Sequence, residues 1–216
     1  MSSGLISSRQ FGLTQRRIGQ SLDELASQHG EIRQAIEQVG YPESRQNPAN
    51  FNTLVRIVIG QQVSTAAAAS IARQLDAALD GDVSALSIAG ASEATLRSAG
   101  ISRQKFAYLQ ALSDCVLSGR LDIDALEHLD DDCVVDQITQ VKGFGVWSAH
   151  MYLMFSLGRP DIWPVGDLAV RAGFGRIMKL AERPEPRTVA LLGETFAPHR
   201  SALALLCWRF YSQVPL

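Results

Sequence analysis

Asp167 follows Pro164-Val165-Gly166 and opens a helical run. A carboxylate at a helix N-terminus stays ionised, because the helix dipole and the first amides favour its charge. It can serve simply as the N-cap of that helix, a position aspartate fills well. Beside a cleft it can also stabilise a developing positive charge and orient or deprotonate a water molecule. The two roles are compatible. Upstream, Gly143-Phe144-Gly145 forms a second chemical feature. The two glycines allow a tight turn and close approach of a partner, and Phe144 is apolar and suited to plug the turn into a core. The first N–H groups of the helix that follows have no intrahelical acceptor and carry partial positive charge, so they can hold an anion such as a phosphate. An ordinary αα-hairpin with a glycine-rich turn fits the same residues.

These residues need helices to position them, and helical signals dominate the chain. Val134, Val135, Ile138 and Val141 recur at helical spacing and lead into the glycine turn; a helix from Val146 to Leu157 leaves it and stops at Gly158 and Pro160. Ser21 with Glu24 has capping-box spacing, which predicts a helix start there, with Leu25, Ile32, Ile36 and Val39 on one face and an end at Gly40 and Pro42. Phe51 to Gly60 is apolar on most sides and reads as a central buried helix. Ser64 caps an alanine-rich helix through Leu79, and Gln61-Gln62 form the corner before it. Those glutamines suit either a solvated loop or a segment that reaches into a ligand. Two short helices follow, punctuated by Gly90 and Gly100; Ser102 then caps a longer one, and Asp124 and the Asp130–Asp132 run cap shorter ones. After Asp167, helices run to about Leu180, from Arg187 to Phe196, and from about His199 to Tyr211. No alternating strand pattern stands out.

Composition narrows the class. Hydrophobic residues make up 46% of the 216 and charged residues 19%, enough for a buried core and too few charges for bulk disorder. The formal net charge of −2 counts against a nucleic-acid partner held by side-chain charge, but not against one held by backbone amides; it predicts modest affinity and shallow salt dependence. The scattered Cys115, Cys133 and Cys207 show no metal-ligand spacing and suit a reduced, cytoplasmic protein. No apolar run is long enough for a membrane. The acid-free, Ser- and Arg-rich start through Gln20 faintly resembles a presequence and reads as a flexible tail over 1–19. His128, His150 and His199 show no ligand spacing, though His150 adjoins Met151; Trp147 and Trp163 read as structural.

VKGFGVWSA followed by Pro-x-Gly-Asp at Asp167 resembles the helix-hairpin-helix (HhH-GPD) DNA glycosylase superfamily, in its alkylbase (3-methyladenine) glycosylase II branch. FNTLVRIVIGQQVSTAAA resembles the family's buried helix and duplex-plugging loop, AGISRQKFAYLQAL its Gly-x-Ser-x-x-Lys helix start, and PHRSALALLCWRF its C-terminal helix. The match spans Phe51 to Tyr211; the N-terminal β-domain of some bacterial members has no counterpart. The resemblance implies that Asp167 is the catalytic aspartate, that Gln62 fills the gap left by an extruded nucleotide while Gln61 supports that loop, and that Trp208 stacks on the extruded base. Met151 and Tyr152 fall on the base-pocket wall; Met151 stands where the best-known members have an aromatic, which leaves the base preference open. Without the resemblance, Trp208, Phe210 and Tyr152 read as core. Gly143, Phe144 and Gly145, with Lys142 beside them, form the phosphate-binding hairpin, and family members bind a monovalent Na+ or K+ through carbonyls at the positions of Thr139, Val141 and Phe144. Trp147 stands where strand-cutting members carry a Schiff-base lysine, so base release without lyase activity is implied. The four-cysteine cluster of the iron–sulfur branch is missing, and no other cofactor is implied.

The expected protein is all-α, with two helical subdomains, 47–160 and 20–46 plus 161–216, and a DNA-binding cleft between them with the hairpin at its mouth. The expected partner is double-stranded DNA containing alkylated purines, bound by a monomer. A glycosylase for deaminated or oxidised bases and a non-catalytic binder of damaged DNA are the alternatives.

Overall fold

The computed structural model describes residues 10–214, and among them every regular element is helical. The helices are α1 (Gln15–Gln28), α2 (Gly30–Val39), α3 (Phe51–Gly60), α4 (Thr65–Ala78), α5 (Ala85–Gly90), α6 (Glu93–Ser98), α7 (Arg103–Leu117), α8 (Asp131–Thr139), α9 (Val146–Phe155), α10 (Leu168–Ile177), α11 (Pro186–Gly193) and α12 (Arg200–Gln213). Two 3₁₀ turns, Asp124–His128 and Glu194–Phe196, join α7 to α8 and α11 to α12. No described helix is long and apolar enough to cross a membrane.

Capping chemistry sets most of the boundaries. Asn50, Ser64, Ser92, Ser102, Asp130 and Asp167 each accept a hydrogen bond from the backbone N–H three residues on, at the start of α3, α4, α6, α7, α8 and α10. Asp124, expected to cap its helix, does not; the carboxylate of Asp122 accepts from Asp124 N–H and Ala125 N–H instead.

The chain divides into two compact units. One contains residues 47–152, the other residues 10–46 and 153–216. The sequence placed the break at Pro160; the structure places it inside α9, whose apolar surface on all sides conceals where one set of neighbours gives way to another. In the first unit, α3 buries Leu54, Val55, Val58 and Ile59. It is not sheathed on most sides as expected: Arg56 faces solvent and pairs with Asp76 of α4 at 3.0 Å.

The second unit starts earlier than the sequence suggested. Part of the expected 1–19 tail lies outside the described residues, but Thr14 caps α1 and Ile18 is fully buried. Ser21 therefore sits inside α1. Its hydroxyl meets His199 Nδ1 at 3.1 Å, and Glu24 pairs with the other ring nitrogen at 3.2 Å. The single helix expected over Leu25 to Val39 is two, broken at His29, which has extended backbone. The core of this unit forms around Phe174, which meets Trp163 and Phe196 edge-on with ring centroids 5.5 and 5.9 Å away. Trp163 is buried and donates to the Val189 carbonyl at 2.9 Å, consistent with a structural role.

The longest continuous burial lies in α12, where every residue from Ser201 to Cys207 is buried. α10 packs so tightly against it that a Cβ on Gly173 would overlap the Cys207 carbonyl. That close approach holds together the two elements that carry Asp167 and Trp208.

Candidate active site and nucleic-acid interface

The glycine turn is built from the first unit alone. α8 ends at Thr139; Val141 N–H bonds back to the Ile138 carbonyl at 3.1 Å, and Phe144 N–H to the Val141 carbonyl at 3.0 Å. Phe144 is 5% exposed and plugs the turn into the core as its apolar ring requires. Gly143 has φ +91°, in the left-handed region, and a Cβ there would run into the Tyr108 ring of α7. Gly145 differs: its φ is not positive, and a Cβ would meet nothing within 4 Å. What Gly145 lacks is a capping side chain. Its carbonyl takes Ser148 N–H and Ala149 N–H, and the residue itself is exposed with Val146 and Lys142. The turn thus presents the head of α9, with exposed Gly145 and Val146, beside one lysine, a geometry suited to a phosphate.

The glutamine corner stands against this turn. Gln61 Nε2 donates to the Gly143 carbonyl at 2.9 Å and to the Ser148 hydroxyl at 3.2 Å. Gln62 is exposed and has φ +56°, a left-handed conformation costly for a residue with a side chain, on the order of 1–3 kcal/mol. Such a strained, solvent-facing tip next to the glycine turn has the geometry of a probe. On the other side, Lys105 Nζ donates to the Ile59 carbonyl at 2.7 Å, and burial pushes its pKa down. Lys105 is therefore a structural brace at the end of α3, a role not readable from the Ser-x-x-Lys spacing.

Asp167 lies in the second unit, half-buried at the head of α10. One carboxylate oxygen accepts Val170 N–H at 2.9 Å and Trp208 Nε1–H at 3.0 Å. The cap and the chemically poised carboxylate are one and the same group. Trp208 was read as an aromatic platform; its indole also holds the aspartate, and its ring lies 5.8 Å from that of Phe155. Nothing local in the sequence signals this bond across 41 residues. A carboxylate held by these donors, one an amide at a helix terminus, keeps its orientation.

The other expected site residues divide. Met151 is 7% exposed and Tyr152 fully buried, so Tyr152 offers no face to a base. Burial first, then the negative charges of Asp124 and Glu127, hold its phenol protonated well above the ordinary range. Helical spacing alone reads Tyr152 as core, and its burial agrees; only the family resemblance placed it on a pocket wall. His150, beside them, is mostly buried, and that burial lowers its pKa and favours the neutral ring. Trp147, at the head of α9, is half-buried. Among the described residues no cluster of His, Cys, Asp or Glu has the makings of a metal site. The carbonyls of Thr139, Val141 and Phe144 are a different donor type. That of Val141 keeps one lone pair beyond its bond with Phe144 N–H.

These features agree with what the chain is similar to. It is 32% identical over 115 residues to DNA-3-methyladenine glycosylase 1 of Schizosaccharomyces pombe, covering 53% of this chain and 50% of that enzyme. The chain spans about half the length, or less, of the first relatives it matches in sequence. Among solved structures, a 3-methyladenine DNA glycosylase of S. pombe in complex with abasic DNA superposes with a TM-score of 0.80 at 26% identity, over 88% of this chain and 95% of that one. A DNA-3-methyladenine glycosidase from Bacillus halodurans gives a TM-score of 0.77 at 29% identity, over 89% of each chain. The model of the HhH-GPD superfamily of base excision DNA repair proteins matches residues 55–198, a span that contains the glycine turn, the glutamine corner and Asp167, and the chain belongs to that superfamily.

Proposed function

We propose that this protein is a monofunctional DNA glycosylase that releases alkylated purines of the 3-methyladenine and 7-methylguanine type and leaves an abasic site. One observation carries the reading: a carboxylate, Asp167, is fixed at a helix head by a backbone amide and by the Trp208 indole. A plain N-cap needs only the amide bond; the second bond, from the Trp208 indole, fixes the carboxylate's orientation beyond that. The similarity to enzymes named as 3-methyladenine glycosylases supports the substrate class.

In this reading the exposed amides at the head of α9 hold backbone phosphates, with Lys142 alongside. Gln62 enters the duplex as the damaged nucleotide is extruded, which needs a few kcal/mol of unstacking. The alkylated purine already carries positive charge. When its bond to C1′ breaks, the electron pair leaves with the base and neutralises it. Asp167 stabilises the oxocarbenium-like sugar left behind, and water adds at C1′ with its proton passing to the carboxylate. Trp208 supplies a π-face for the cationic base. Strand cleavage would need an amine nucleophile, and tryptophan at position 147 has none. The Thr139, Val141 and Phe144 carbonyls would hold a monovalent cation that braces the hairpin. Higher thermal stability in potassium chloride than in choline chloride at equal ionic strength is expected if they do, and equal stability argues against it.

The test is an excision assay on a duplex carrying one alkylated purine, with Asp167→Asn beside the unaltered protein. Base release by the unaltered protein, lost in the variant while DNA binding persists, is the expected result. Undiminished release by the variant would end the mechanism. Release of uracil or 8-oxoguanine in preference to alkylated purines would move the protein to another specificity.

A further inference from the structure

The glutamine corner and the glycine turn are separated by more than eighty residues, yet they form a single fixture. Gln61 reaches from the end of α3 to both walls of the turn: the carbonyl of Gly143 at 2.9 Å and the hydroxyl of Ser148, a buried residue in the first turn of α9, at 3.2 Å. Both donors of one carboxamide are thereby directed at the element that presents the α9 amides. The next residue is Gln62, held at φ +56° with its side chain in solvent. α7 backs both pieces. Lys105 donates to the Ile59 carbonyl just before the corner, and the Tyr108 ring, one turn along, lies where any side chain on Gly143 would have to go. The corner and the turn therefore share one support and one direct tie.

We infer that Gln61 is a positioning residue: its bridge to Gly143 and Ser148 sets where Gln62 stands relative to the phosphate-binding turn, so that seating the backbone on the hairpin delivers Gln62 into the duplex. The inference rests on the reading of Gln62 as the residue that fills the vacated stack. Gln61 itself touches no DNA. A solvated loop residue would not need both its donors aimed at another segment, and a residue that merely filled space would not need donors at all. A left-handed backbone at position 62 is a further sign of an imposed conformation, since a free loop would relax out of it.

The experiment compares the full chain with Gln61→Glu, Gln61→Ala, Gln62→Ala and the double variant Gln61→Ala/Gln62→Ala. Gln61→Glu keeps the shape and replaces both donors with acceptors, setting a carboxylate against the Gly143 carbonyl. The readout is the ratio of affinities for a duplex with a stable tetrahydrofuran abasic analogue and for the same duplex intact. It does not depend on which lesion is excised. Loss of a paired hydrogen bond is worth about tenfold in such a ratio. The ratio is expected to fall about tenfold in Gln61→Glu and in Gln61→Ala, with affinity for intact duplex unchanged in Gln61→Ala, which adds no charge beside the turn. The double variant is expected to fall no further than Gln62→Ala alone, because residues that act through one another do not add. An unaltered ratio in Gln61→Glu would overturn the inference. So would multiplicative losses in the double variant, or a parallel loss of intact-duplex affinity in Gln61→Ala, since each marks a role in general folding. Failure of the glycosylase reading looks different: the unaltered protein would prefer the abasic analogue yet release no base from alkylated DNA.

Discussion

Two helix heads in this molecule meet the same physical problem in opposite ways. Each helix begins with amides that have no partner within the helix and a partial positive charge. At α10 the chain supplies its own anion: Asp167 accepts Val170 N–H and is held again by Trp208. At α9 the residue before the helix is Gly145, which has no side chain to offer as a cap, and Gly145 and Val146 are exposed. One head therefore retains a carboxylate for chemistry, and the other is ready to take a phosphate from outside. A helix terminus is neutral as to function; the residue at its cap decides whether it keeps an internal charge or recruits an external one.

The largest expected effect removes the retained charge. Asp167→Asn should lower single-turnover base release by about a thousandfold, within the range for losing a group that stabilises charge or moves a proton. A duplex-binding assay should show little change, because the open head lies on the other unit. Weakened binding of similar size would erase the division of labour.

Trp208→Phe comes next. It keeps an aromatic face and deletes the N–H that Asp167 accepts. Hydrogen bonds to charged groups are worth about 1.5–3 kcal/mol, so kcat is expected to drop tenfold or more with KM nearly constant. A wild-type kcat would mean that the backbone amide alone is enough to fix the carboxylate.

Gly145→Asp converts one head into the other. No backbone strain and no neighbour opposes a side chain there. An installed N-cap should stabilise the fold by roughly a few tenths of a kcal/mol, seen as a slightly raised melting temperature. It should also set a negative charge against the incoming phosphate and weaken duplex binding by about tenfold or more. A variant that melts higher and binds as before would show that DNA is held elsewhere. The smallest effect belongs to Lys142→Ala. It should lower affinity a few-fold and reduce the slope of log K against log salt by about 1, reading out a single phosphate contact.

Much of this was legible in the residues, for a reason specific to helices. Ser64, Ser102, Asp130 and Asp167 are short polar side chains at the edges of apolar-periodic runs, and each caps the helix expected. The same logic failed at Ser21 and Glu24, which have capping-box spacing in the middle of α1; tertiary packing carried the helix back to Gln15 and gave Ser21 to His199. Periodicity succeeded at Tyr152, which reads as core and is buried; the pocket-wall place came from the family resemblance alone. Least legible were the bonds that assemble the candidate site. Gln61 to Gly143 and Trp208 to Asp167 join residues 82 and 41 positions apart, and no local pattern encodes such a pairing. The family resemblance could name Trp208 and Gln61 but not the atoms they hold.

The seam at Gly173, where only a hydrogen atom fits beneath the Cys207 carbonyl, has one more consequence. It welds the acid and the indole onto a single beam within one unit, while the glycine turn proposed to hold phosphate belongs to the other. Gentle warming or low denaturant that loosens this seam should silence bond cleavage while the protein still clings to its duplex, leaving an occupied but idle complex.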